Sequence, residues 1–136
     1  MAETDDALAA LTRMNPSLPA SRIRYHAALT EAIIREIRFG VLFFMAWWSS
    51  PARQAYANLA RVAAAVDPTN SLEVHVANVD GCEGLEGMSE LASALTSGSG
   101  ETAWIADGRI VAFSGKGFYP GQLEPITRTF LAKGRR

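Results

Sequence analysis

The sequence predicts an α/β fold, a three-layer sandwich in which one central mixed β-sheet carries helices on both faces. Three observations carry this. Residues 41–46, VLFFMA, are apolar without polar alternation, which suits a central strand covered on both sides. Leu72, Val74 and Val76 alternate with Glu73 and His75, the two-residue period of a strand. Helical patterns separate these strands, and a hairpin followed by a helix closes the chain, so one mixed sheet accommodates every element.

In order, residues 1–19 form a flexible lead, with a short helix possible over 5–14 before Asn15-Pro16 and Pro19 interrupt it. Ser21 then reads as an N-cap, and Ile23, Ala27, Thr30, Ile34 and Ile37 recur at three- and four-residue spacing, predicting a helix that ends at Gly40. After the strand at 41–46, Pro51 suits a first helical turn, where its missing N–H would be unpaired anyway. That helix runs over 51–66 with Ala52, Tyr56, Leu59, Val62, Ala63 and Val66 as its apolar stripe, and Asp67-Pro68 stops it. A strand covers 72–80, a loop 81–87, a short helix 88–95 and a turn 96–100. Asp107-Gly108 joins strands 102–106 and 109–113 as a two-residue hairpin. The last helix spans 120–133 with Leu123, Ile126, Thr127, Phe130 and Leu131 inward. The expected order is α-β-α-β-α-β-β-α, with residues 20–136 forming one domain.

A chain of 136 residues can bury a single core. Its net charge of −1 gives no drive toward nucleic acid or an anionic membrane. Lys133, Arg135 and Arg136 read as a solvated basic tail. The longest strongly apolar run, 41–48, is too short to cross a bilayer. The acidic start lacks a secretory pattern, so the expectation is a cytoplasmic protein. The sequence contains 1 cysteine, Cys82, which excludes an internal disulfide. Histidines, cysteine and acids show no ligand spacing, so neither metal nor cofactor is expected.

The stretch 41–53, VLFFMAWWSSPAR, resembles the strand, W-C-G-P-C-K turn and helix of the thioredoxin family. Asn78-Val79-Asp80 is similar to the end of that family's second central strand. TAWIADGRIVAF, residues 102–113, resembles its hairpin, and Gly115 with Gly121-Gln122-Leu123 resembles the opening of its last helix. The resemblance covers residues 34–132 and implies a thioredoxin-like domain. It also implies that the family's chemistry is gone. Ser49 and Ala52 stand where the thiols would be, Phe43 at a buried acid, Val76 at its lysine partner, and Glu101 at the proline before Thr102.

Ser49 has no base near it in sequence, since the histidines are His26 and His75, so it reads as a helix cap rather than a nucleophile. No catalytic residue is expected. Cys82 lies among Asp80, Glu83 and Glu86, which disfavour a thiolate. The aromatics are the better lead. Trp47 and Trp48 point to opposite sides of an extended strand, so one can be core and the other can stand beside the active-site loop, with Trp104, Phe118 and Tyr119 near the same end. The resemblance thus implies a redox-inactive module that binds a protein or peptide through Trp48, Ser49, Ser50, Pro51, Ala52, Arg53, Glu101 and Thr102. The alternative is a single-cysteine oxidoreductase or redox sensor using Cys82. Self-association is left open.

Overall fold

The computed structural model describes residues 2–82, 85, 87, 88, 91, 99–114 and 120–134. Among these residues, four α-helices and five strands follow in the order α1 (Ala2–Met14), β1 (Ile23–His26), α2 (Glu31–Arg35), β2 (Phe39–Met45), α3 (Ser50–Val66), β3 (Glu73–Asn78), β4 (Thr102–Ala106), β5 (Arg109–Phe113) and α4 (Pro120–Gly134). The strands form one sheet in the order β1-β3-β2-β4-β5. β1 and β2 both run parallel to β3. β4 is antiparallel to β2, and β5 to β4. The fold is therefore α/β with a mixed sheet.

Alternation along the central strands divides the core. Val41, Phe43, Met45, Val74, Val76 and Trp104 face a large cluster built with α1, α3 and α4. Leu42, Phe44, Ala77, Ala103 and Ile105 face a second cluster with Ile34 of α2, Cys82, Leu85 and Leu91. Every residue from Val41 to Ala46 is buried, as an uninterrupted apolar strand requires. The predicted stripe of α3 is buried in full. In α4, Thr127 accepts the indole N–H of Trp104 at 3.1 Å and donates to the Leu123 carbonyl at 2.7 Å. The β4–β5 turn has positive φ at both Asp107 (52°) and Gly108 (76°), the geometry of a tight two-residue hairpin.

Three expectations need correction. The helix read over 21–37 is instead a strand, β1, followed by the short α2, which Thr30 caps by accepting the Ile33 N–H. Ile23, Arg24, Tyr25 and His26 also alternate with period two, and pairing with β3 decides between the readings. The lead expected to be flexible contains α1, whose Ala7 and Leu11 are buried, with Leu18 buried after it. Asn15 fastens its end by donating to the Ala57 carbonyl of α3 at 3.0 Å. Trp104 lies wholly within the core rather than at an aromatic binding face. The helix expected over 88–95, together with Glu83, Glu86, Gly115, Phe118, Tyr119, Arg135 and Arg136, falls wholly or largely outside the described residues.

Candidate binding site at the strand–helix junction

The site begins where β2 leaves the sheet. The Ser49 N–H donates to the Ala46 carbonyl at 3.0 Å, turning the chain, and the Ser49 hydroxyl accepts the Ala52 N–H at 3.4 Å. Ser49 is thus the N-cap of α3, with proline in the first turn. This turn sends the two tryptophans apart. Trp47 is half-buried, and its indole N–H donates to the Tyr25 hydroxyl at 3.0 Å. Trp48 is 63% exposed. Arg53, also exposed, donates from Nη1 to the Trp47 carbonyl at 2.7 Å and braces the loop from the helix side.

The second wall is the segment entering β4. Gly100 has a φ of +80°, and a Cβ there would lie 2.9 Å from Ala52 Cα, Ala55 Cβ and Phe43 Cζ. Glu101 is fully buried, and its carbonyl accepts the Phe44 N–H at 2.9 Å. The Thr102 N–H donates to the Ser114 hydroxyl at 2.9 Å. The predicted loop and the predicted 101–102 segment therefore meet, with Gly100 as the contact point. Within them, Trp48, Ser50, Pro51 and Arg53 are exposed, whereas Ser49, Ala52, Glu101 and Thr102 are buried. Beside the loop, α1 and Trp47 enclose a cleft of about 480 Å³ lined by Glu3, Asp6, Tyr25 and Asn78.

Behind the loop the chemistry is apolar. Phe43 and Val76, the positions compared above with an acid and a lysine, are register partners in adjacent strands, and both are fully buried. The Tyr56 ring meets Phe43 edge-on, with centroids 5.6 Å apart at 72°. Burial pushes the Tyr56 hydroxyl well above its ordinary range. Cys82 is buried, and its thiol donates to the Asn78 carbonyl at 3.3 Å. Burial, then Asp80, pushes its pKa up to about 11. The sequence had assigned this direction to neighbouring acids, but burial is the larger cause.

His75 does not lie on a polar strand face: it is buried. Its Nδ1 lies 2.9 Å from His26 Nε2, with the rings tilted by only 7°. Its Nε2 lies 3.0 Å from Glu73, which also takes Arg24 Nη1 at 3.0 Å and the Arg38 N–H at 3.0 Å. Because side chains alternate, His75 points away from the Val76 face that α3 and Ser49 cover. No base thus approaches Ser49 from this pair. The chain of polar groups was invisible while 23–26 was read as helix. As a strand, Arg24 is the register partner of His75 and His26 that of Ala77, so Arg24 and His26 stand on the sheet face that carries Glu73 and His75.

This pair makes stability depend on pH. Burial lowers both imidazoles below their ordinary 6.5, reinforced at His26 by His75 and Arg24, and opposed at His75 by its bond to Glu73. For Glu73, burial alone would raise the pKa, but the bonds from His75, Arg38 and Phe39 outweigh it and the net shift is downward. All three groups bind protons more readily in the unfolded chain. Their stabilisation is therefore present above the unfolded values and is lost as pH falls through the folded ones. Urea midpoints should be level above about pH 7 and fall between about pH 6.5 and 4. A profile flat across that window contradicts the burial of the pair.

Among the described residues, no group of three or more His, Cys, Asp or Glu side chains is placed to hold a metal ion. Nor is any helix among them long and apolar enough to cross a membrane. Compared with models of known protein families and with curated proteins, the sequence matches none.

Proposed function

We infer that this chain is a redox-inactive thioredoxin-like module that binds a protein or peptide partner through the loop after β2. The observation that carries this reading is the loop itself. It keeps a strand–turn–helix junction with tryptophan and proline, replaces both thiols by Ser49 and Ala52, and presents Trp48 to solvent. The sheet order β1-β3-β2-β4-β5 supports the thioredoxin-like reading. The apolar pair Phe43–Val76 supports loss of the chemistry, because proton transfer needs a titratable group behind the loop.

Tryptophan and arginine are enriched among the residues that dominate protein interfaces, and Trp48 and Arg53 are both exposed at this junction. The cleft under Trp47 offers a concave neighbour to it. The partner would seat on Trp48, Ser50, Pro51 and Arg53, with the buried Ser49, Ala52, Glu101 and Thr102 holding the surface in shape. Cys82 gives the alternative thiol reading little support, since a buried thiol with a raised pKa is a poor nucleophile. The test is capture from cell lysate with wild type beside a Trp48→Ala/Arg53→Glu variant. A stoichiometric partner retained by the wild type and lost by the folded variant is expected. Reduction of a disulfide substrate by the wild-type chain would overturn the redox-inactive reading.

A further inference from the structure

Far along β2 from the Trp48 loop, a groove of about 890 Å³ opens between β5 and α4. Its volume falls within the ~300–1,000 Å³ typical of small-ligand sites. Its walls are apolar: Phe39 from the start of β2, Val111 from β5, and Ile126 and Phe130 from α4. Phe39 and Phe130 stack with centroids 4.4 Å apart at 12°. Val111 is 57% exposed although it lies in a strand. It lies on the edge strand, where a register shift between Trp104 and Ile105 leaves Val111 as the extra residue between the Ala112 and Ile110 pairings.

The polar residues gather at one end. The Phe39 ring packs against Gly134, so their sequence neighbours Arg38 and Lys133 flank the same contact, and both line the groove. Among the described residues, neither the Arg38 guanidinium nor the Lys133 ammonium is in an ion pair, although the Arg38 backbone N–H donates to Glu73 at 3.0 Å. Among the described residues, Asp107 is the one carboxylate that lines the groove. Among the described lining residues, two cations and one acid leave that end positive, and the remaining walls are apolar apart from Thr129.

We propose that this groove binds an amphipathic carboxylate, its alkyl chain along Phe39, Val111, Ile126 and Phe130 and its carboxylate between Arg38 and Lys133. The charge pattern selects the anion, because an arginine and a lysine without partners gain charge-assisted hydrogen bonds from a carboxylate. Apolar walls select an alkyl tail, whose burial contributes about 0.8 kcal/mol per CH₂. A second copy adding to the β5 edge is the poorer occupant, because the bulge twists that edge away from flat pairing.

The test titrates the full chain with decanoate, and with decyltrimethylammonium and butyrate as probes of head and tail. Calorimetry and amide chemical shifts are the readouts. Saturable binding of one decanoate per chain is expected, at least about 10-fold tighter than either control. Arg38→Gln/Lys133→Gln should remove the preference for the anionic head. Thr129→Trp, an exposed wall position on α4, should fill the groove and abolish binding without unfolding the chain. No saturable binding up to about 1 mM decanoate, equal binding of both head groups, or unchanged binding by Thr129→Trp would each overturn the proposal. So would sedimentation of the wild type as a dimer that Thr129→Trp dissociates.

Discussion

Replacing Gly100 by alanine is expected to lower the unfolding midpoint by roughly 10 °C, corresponding to a loss of about 3 kcal/mol. Two causes add. The residue sits at φ +80°, where a Cβ strains the backbone. That Cβ would also press on Ala52, Ala55 and the Phe43 ring, all fully buried and with little room to yield. The strain falls on the contact between the β4 segment and the first turn of α3, so the damage should reach the loop. Trp48 fluorescence should shift in the folded variant, whereas an alanine at exposed Gly121, a helical position that meets no neighbour, should not lower the midpoint and should leave the fluorescence unchanged. A Gly100→Ala protein as stable as wild type would mean that the two walls of the site do not touch.

Introducing two thiols at the junction should create a disulfide. In a Ser49→Cys/Ala52→Cys variant, the two positions are a helix cap and the third helical residue. They are already linked, because the Ser49 hydroxyl accepts the Ala52 N–H and its carbonyl accepts the Arg53 N–H. After oxidation, a bulky maleimide should find both introduced thiols protected, while Cys82 stays shielded by burial. On reduction, the thiol introduced at position 49 should titrate below the free value of about 8.5, because it faces the positive end of α3. The expected change is all-or-none in labelling. Two freely labelled thiols after oxidation would show that the junction lacks the geometry assigned to it.

The legibility of the fold followed how local each signal was. The β4–β5 hairpin and α3 were readable because Asp107-Gly108 and Ser49-x-Pro51 act within their own turns. β1 was not, because Ile23, Ala27, Thr30, Ile34 and Ile37 satisfy a helical spacing while Ile23–His26 equally satisfies a strand. Only pairing with β3, some fifty residues away in sequence, separates the two. That error also hid the His26–His75–Glu73 chain, which exists only when both strands lie side by side. α1 was underestimated because its short stripe of Leu8, Leu11 and Met14 gains its value from packing on the core with α3, not from local propensity. At the site, the loop and its exposed Trp48 were readable from the junction motif. The core position of Trp104 was not, because its partner Thr127 belongs to another element. The β5–α4 groove was likewise hidden, since its exposed Val111 sits at a bulge that composition does not mark.

The most direct measurement of the central claim is the affinity of the captured partner for wild type and for Trp48→Ala/Arg53→Glu, with folding of both checked by thermal unfolding. The loop-binding account predicts at least about a 30-fold loss of affinity at unchanged stability, as expected for removal of an interface hot spot. Equal affinity in two equally folded proteins, or a wild type that captures no stoichiometric partner, would contradict it.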